Sequence, residues 1–303
     1  MTPPAPLRVG VVGAGPWARQ VHIPLFAAGP DTELTAIWAR RPEAAGELTA
    51  AWPGVRVCQR FEELVDAVEA VAFAVPPDVQ ARLAPAAAAA GRAVLLEKPL
   101  ALDLAGAERL AEAVAVAGVG SLVVLTWRYA PAVRQFLERA GALAAVGGRG
   151  WFLSGALLGG WYSTPWRLEH GALLDVGPHV LDLLDAALGP VVDVRANGRS
   201  TSWVGLLLRH ESGAVSEASL SGSIWPEARR AGVEVFGATA AAEVDTGQVG
   251  RSGLDTLRAE FVAVARAGAA HPQAVLLGAD RGLYLQRWLD TARRQLEGGP
   301  AVR

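Results

Sequence analysis

Val9-Gly10-Val11-Val12-Gly13-Ala14-Gly15-Pro16-Trp17-Ala18-Arg19-Gln20 reads as a buried strand that enters a glycine turn and then a helix. Val9, Val11 and Val12 are β-branched and apolar, which suits a strand covered on both faces. Gly13, Gly15 and Ala18 follow the spacing G-x-G-x-x-G/A. In that spacing the first glycine permits a tight turn, the second leaves room for a pyrophosphate against the backbone, and the small third residue lets the helix sit close to the strand. The N–H groups at the helix start supply an anion site without a cationic side chain. Alone the spacing is weak, because small-residue turns join strands to helices in many α/β proteins. The surrounding pattern strengthens it.

Outward from that turn, strand-like and helix-like stretches alternate. A helix over residues 16–28 precedes a strand at Leu34–Trp38, and a helix over 42–51 follows. Next come a short strand at 55–57, a helix at 61–67 and a strand at 70–75 that stops at Pro76-Pro77. An alanine-rich helix over 79–90 leads to a strand at 93–96 and the segment Glu97-Lys98-Pro99-Leu100. A helix over 104–117 and a strand over 121–125 complete the series. Such alternation is solved by a parallel, doubly wound sheet. Ligands of these sheets gather at the carboxyl ends of the strands, which puts Gly13–Ala18, Pro76-Pro77 and Glu97-Lys98-Pro99 on one rim.

The residues after the second strand discriminate between nicotinamide cofactors. A carboxylate there would accept hydrogen bonds from the adenosine ribose. This chain has Ala39, Arg40 and Arg41 instead. Alanine does not repel a 2′-phosphate, and two guanidinium forks can bind one. The sequence therefore predicts NADP(H) in preference to NAD(H), the alternative being that both arginines are solvated residues at a helix start.

Beyond Trp127 the pattern changes. A helix over 131–140 and a strand over 150–158 precede a loop rich in aromatics, Trp161 to Arg167, and a helix over about 171–188. Strand candidates at 191–196, 202–209, 214–222, 231–237 and 240–244 are closely spaced by turn residues, which implies antiparallel pairing. Helices over 254–267 and 283–296 close the chain. The expected division is a dinucleotide-binding domain at residues 1–126 and a substrate-binding and oligomerisation domain at 127–303.

Composition narrows the classes. The 303 residues are 51% hydrophobic and 19% charged, which supports a substantial core and argues against disorder. A formal charge of −2 gives no reason to expect a nucleic acid or an anionic membrane as partner. A single cysteine, Cys58, excludes an internal disulfide and a multi-cysteine metal cluster, and reads as an apolar filler. Apolar runs are interrupted well before 18 residues, so no membrane span is expected. Residues 1–8 hold three prolines and no apolar core, and the expected location is cytoplasmic.

Chemistry is expected from Lys98, Asp175 and His179. Asp175 and His179 are four apart, on one face if a single helix carries both. Gly177-Pro178 between them is costly inside a helix, about 1 kcal/mol for Gly and about 3 for Pro. The helix is thus expected either to kink there or to start there with Pro178 in its first turn. Leu173, Leu174, Val176, Val180 and Leu181 around them favour burial, while a surface pair is the plainer alternative.

Taken in order, these motifs resemble the Gfo/Idh/MocA family of nicotinamide-dependent oxidoreductases over nearly the whole chain. The resemblance rests on Gly13-Ala14-Gly15-Pro16-Trp17, Pro76-Pro77, Glu97-Lys98-Pro99-Leu100, Trp127-Arg128-Tyr129-Ala130-Pro131, Trp166-Arg167 and Gly171…Asp175-Val176-Gly177-Pro178-His179. It implies an α/β protein: an N-terminal Rossmann domain with a doubly wound parallel sheet, and a C-terminal α/β domain with a large, open, mainly antiparallel sheet that commonly forms the interface of a homodimer or homotetramer. Lys98 would sit beside the nicotinamide and the reacting carbon, with Asp175 and His179 facing it and His179 moving the proton. The Lys98-Pro99 bond is expected to be cis.

Two departures stand out. Val79-Gln80 occupies a place where the family often has histidine, and the C-terminal portion is short for the family.

These residue types suit hydride transfer. An imidazole titrates near about pH 6.5 and can take or give the hydroxyl proton. An ammonium aimed at the same oxygen stabilises developing negative charge, and a carboxylate can hold the imidazole or bind a second hydroxyl. The sequence therefore predicts Lys98, Asp175 and His179 as catalytic. It predicts Gly13, Gly15, Pro16, Trp17, Ala18, Arg40, Arg41, Pro76, Pro77, Glu97 and Lys98 as cofactor contacts. Arg128, Trp161, Trp166 and Arg167, with Lys98, Asp175 and His179, are the candidate substrate contacts. The aromatics, including Tyr162, Trp127 and Tyr129, suit either the apolar faces of a sugar or packing at an interface. No metal is expected, and His22 and His170 read as structural. The expected activity is an oxidoreductase acting on CH–OH/C=O of a sugar-like or cyclitol substrate. Reduction of a non-sugar carbonyl, imine or tetrapyrrole is the alternative chemistry, and a non-catalytic cofactor sensor the alternative class.

Overall fold

The computed structural model describes residues 4–225 and 229–298. The chain forms two compact units: residues up to Val124 together with Leu254–Tyr284, and Leu125–Gly253 together with residues from Leu285 onward.

In the first unit, β1 (Leu7–Val12), β2 (Thr32–Trp38), β3 (Arg56–Cys58), β4 (Ala70–Phe73), β5 (Ala93–Leu96) and β6 (Ser121–Val123) form one parallel sheet in the order β3-β2-β1-β4-β5-β6. Valine, leucine, alanine and phenylalanine make up most of β1, β4 and β5, and these strands are buried almost throughout, as expected where helices cover both faces. A π-helical turn at Ala18–His22 runs into α1 (Ile23–Ala27), followed by α2 (Pro42–Thr49), α3 (Phe61–Ala67), α4 (Pro77–Ala89) and α5 (Leu104–Ala117). Strand order reverses between β1 and β4, and that switch point is where doubly wound sheets bind ligands.

The second unit is built on β7 (Ala145–Leu153), β8 (Val191–Arg199), β9 (Trp203–His210), β10 (Val215–Ser221), β11 (Arg230–Gly237) and β12 (Ala241–Asp245), in the order β12-β11-β7-β10-β9-β8. Neighbours are antiparallel except β7 and β10, which run parallel. The sheet is thus mainly antiparallel, as the sequence predicts, while the consecutive strands β10 and β11 do not pair because β7 lies between them. Hairpin spacing speaks only for consecutive strands, and β7 is far from β10 in the chain. The strand expected at 150–158 lies at Ala145–Leu153. Gly147 and Gly148 look like a break, yet they belong to the ladder: a Cβ on either would come within 2.8 Å of a carbonyl on the flanking strand.

Helices α6 (Pro131–Gly141), α7 (Pro165–Asp175) and α8 (Gly177–Leu188) belong to this unit. On one face of the sheet α8 packs so closely that a Cβ on Gly150 would lie 2.6 Å from Val180. The other face carries exposed Trp203, Leu207, Val215 and Phe236.

The chain then returns to the first unit with α9 (Leu254–Ala267) and α10 (Pro272–Leu277), and α11 (Ala279–Gly298) ends the described chain. The division expected at 126/127 placed residues 254–284 in the second domain; their contacts group them with the first. Phe261 of α9 packs 6.0 Å from Phe26, and Arg258 reaches Asp31 at 3.1 Å. Within the second unit, Gln295 of α11 accepts from Ala196 N–H and donates to Val194 C=O, covering the edge strand β8. No helix among the described residues is long and apolar enough to cross a membrane.

Candidate active site and nucleotide cleft

At the switch point of the first unit, the two glycines do different things. Gly13 has φ +121°, and a Cβ there would lie 2.3 Å from the Ala74 carbonyl oxygen, so the turn can leave β1 only through glycine. Around Gly15 nothing lies within 4 Å of an added Cβ, so it faces open space. Ala18 is fully buried, as close helix–strand packing requires. Gly13, Ala14, Gly15, Arg40, Arg41 and Pro76 line a cleft of about 530 Å³ that Ala44, Asp78, Val79 and Arg82 continue. The chemistry of this lining fits a dinucleotide: bare backbone beside Gly15, and two exposed guanidiniums after β2 where a ribose would lie. Pro77 is the buried first residue of α4 and is not among the lining residues.

The segment 97–100 is held from several sides. Lys98-Pro99 is cis. Glu97 Oε1 accepts hydrogen bonds from Trp17 Nε1–H and, at 2.8 Å, from His22 Nε2, with His22 fully buried. His22 thus braces Glu97, the residue ahead of Lys98. Gln80, also fully buried, accepts from Glu97 N–H at 2.7 Å and donates to the Glu97 and Leu100 carbonyls at 2.8 and 3.1 Å. The sequence marked position 80 only as a departure. Its bonds reach residues 17 and 20 positions away, which no local pattern reveals.

In the second unit, Asp175 and His179 do not share one continuous helix. Asp175 ends α7, Val176 has φ −116°, and His179 lies in the first turn of α8 with Gly177 and Pro178 ahead of it. Of the two expected outcomes, the helix starts at Gly177-Pro178, because proline suits a first turn and not an interior. A second break falls at Gly171, with φ +65°, where a Cβ would collide with the Ser200 carbonyl. The single helix expected over 171–188 is therefore two.

Both Asp175 and His179 are buried, 8% and 7% exposed, amid leucines and valines. Asp175 Oδ1 accepts from Arg167 Nε–H at 3.0 Å. The Arg167 guanidinium lies over Trp166 at 4.6 Å and Tyr162 at 5.7 Å, and Tyr162 stacks on Trp161 at 3.7 Å. Trp127 lies 4.9 Å from the His179 ring and 6.3 Å from Phe152. Arg128, a candidate substrate contact, is buried and pairs with Asp182 of α8 at 3.2 Å, so one end of its fork holds the helix. Tyr129 is fully buried core. Burial pushes the Tyr162 hydroxyl pKa up, against nearby Arg229, while the Asp175 charge raises it further. Sequence reading passed over Arg229, whose guanidinium lies 4.7 Å from the Phe152 ring. No group of three or more metal-ligating side chains occurs among the described residues.

Comparison with known proteins agrees with this architecture. Residues 7–124 match the model of an oxidoreductase family with an NAD-binding Rossmann fold, and residues 140–243 match the GFO/IDH/MocA C-terminal domain. A dTDP-3,4-didehydro-2,6-dideoxy-alpha-D-glucose 3-reductase of Streptomyces violaceoruber is 30% identical over 236 residues, covering 72% of this chain and 61% of that protein. The chain spans about 54 to 61% of the first three curated relatives it matches. Among solved structures, GenD2 from gentamicin A biosynthesis in complex with NAD superposes with a TM-score of 0.83 at 24% identity, covering 99% of this chain and 98% of that one. The WlbA dehydrogenase from Bordetella pertussis, in complex with NADH and UDP-GlcNAcA, does so with a TM-score of 0.83 at 22% identity, covering 97% and 98%. At these identities the two structures speak for the fold alone.

Proposed function

This chain belongs to the Gfo/Idh/MocA oxidoreductase family, and on that premise we propose that it is an NADP(H)-dependent oxidoreductase acting on a carbonyl or hydroxyl carbon of a sugar-like or cyclitol substrate. The observation that carries the reading is the cleft at the switch point, where backbone is bare at Gly15 and Arg40 and Arg41 stand after β2. The sugar reductase among its relatives supports the substrate class. Gly13, Gly15, Pro16, Trp17 and Ala18 hold the pyrophosphate end, Arg40 and Arg41 the 2′-phosphate, and Pro76, Glu97 and Lys98 the approach to the nicotinamide. When bound, the cofactor supplies or accepts the hydride.

The chain's own residues do the rest. His179 takes or gives the proton of the substrate oxygen. The Lys98 ammonium donates to that oxygen and lowers the cost of its negative charge. Arg167, bonded to Asp175 at 3.0 Å, aims the carboxylate so that it orients the imidazole or a second hydroxyl. Trp161, Tyr162 and Trp166 offer flat faces to a sugar ring. A homodimer or homotetramer through the open face of the second sheet completes the proposal.

Steady-state kinetics with NADPH and NADH over a panel of keto-sugars and polyols test it. A lower KM for NADPH, and turnover lost by a hundredfold or more in Lys98→Ala and His179→Ala, are expected. A lower KM for NADH rejects the cofactor assignment, and turnover within a few-fold of the parent in both variants rejects the roles.

A further inference from the structure

Arg229 closes one end of a row of rings. Its guanidinium lies 4.7 Å from the centre of Phe152, Phe152 stacks on Trp127 at 6.3 Å, and Trp127 lies 4.9 Å from His179. The far end of the row is thus the imidazole assigned to proton transfer. Among the described residues no carboxylate forms an ion pair with Arg229. Asp175, whose charge it feels, is bonded to Arg167, and Asp245 acts on it only through space. Although the residue keeps exposed surface, burial pulls the pKa of its guanidinium down. Tyr162 beside it also feels Arg167 and Arg251. The Tyr162 hydroxyl thus feels three guanidiniums, and Asp175, the carboxylate that acts on both Tyr162 and Arg229, is already bonded to Arg167. Partial desolvation of a cation costs free energy unless an anion compensates it.

We propose that Arg229 binds an anionic group of the substrate, a carboxylate or a phosphate, so that the molecule turned over is an acidic or phosphorylated sugar and not a neutral polyol. A guanidinium presents two parallel N–H donors that match the paired oxygens of either group. The Phe152 face backs that fork, and Phe152 and Trp127 connect it to His179, so a sugar laid along this row would present its reacting carbon to the imidazole. This inference rests on the redox reading for which carbon reacts, and on Arg229 alone for which molecules bind.

The protein loaded with NADP+ is titrated with glucose, glucuronate, glucose 6-phosphate and UDP-glucose. Tryptophan fluorescence follows binding and NADPH absorbance follows turnover. At least one anion is expected to bind tenfold or more tightly than glucose. Arg229→Gln is expected to lower that anion-to-glucose ratio at least tenfold, with Arg229→Lys recovering part of it. The glucuronate arm against the phosphate arms decides which anion is read. Equal affinity for glucose and every anion overturns the proposal. So does an Arg229→Gln variant, folded by its melting curve, that weakens glucose and anion alike, because Arg229 would then only pack on Phe152. Anion binding that depends on Arg229 without turnover of any sugar supports the subsite and removes the redox assignment instead.

Discussion

Gly13 and Gly15 are two residues apart and make opposite demands. A methyl at Gly13 meets the Ala74 carbonyl and a positive φ, while a methyl at Gly15 meets nothing in the protein. Gly13→Ala should therefore destabilise the fold by about 2–4 kcal/mol in urea unfolding. Gly15→Ala should leave the melting temperature within about 2 °C and weaken binding of the nicotinamide dinucleotide at least tenfold, read by calorimetry. Gln80 has the larger hidden role. Gln80→Ala leaves the Glu97 amide and two carbonyls unpaired, at a cost of about 2–4 kcal/mol, and should lower kcat about tenfold as Lys98 loses its setting. Gln80→His should recover part of both losses. The tight turn at Gly13 and the bare backbone at Gly15 were legible in the sequence, because each depends on local spacing. The role of Gln80 was not, because its partners belong to another strand end.

At the scale of elements, the break between α7 and α8 at Val176 puts Asp175 at the end of one helix and His179 in the first turn of the next. Periodicity could not locate it: apolar residues recur without interruption from Leu173 to Leu184, and only Gly177-Pro178 betrayed the junction. What holds α8 is partly the Arg128–Asp182 pair, 9% and 1% exposed at the side chains. Removing one partner strands the other. Asp182→Ala should cost about 3–5 kcal/mol in denaturant unfolding, and a paired Arg128→Met, Asp182→Leu replacement should recover most of it. Such pairing was invisible in the sequence, where Arg128 stood among plausible substrate contacts.

For the whole molecule, the open face of the second sheet sets the expected assembly. Trp203, Leu207, Val215 and Phe236 are 41–52% exposed on it, an apolar face of a kind that marks interaction sites. If the proposed oligomer forms through this face, Leu207→Glu with Phe236→Glu should give a monomer in light scattering, with little effect on the melting of isolated chains. The strand alternation of both sheets was legible in composition and spacing. The parallel β7–β10 pairing and the return of α9 and α10 were not, since each joins segments distant in the chain.

That return carries a consequence for biogenesis. Phe261 and Val264 are fully buried in the first unit, and Gly120, just ahead of β6, is kept bare where Val264 crosses it. The nucleotide-binding half is therefore interrupted by an insertion of more than a hundred residues. A ribosome that has made only the first six strands has emitted a sheet whose last two still lack the cover of α9 and α10, and its closure waits for them. The leading segment is consequently no transferable cassette: engineers who graft a new catalytic half must splice it into the middle of this one.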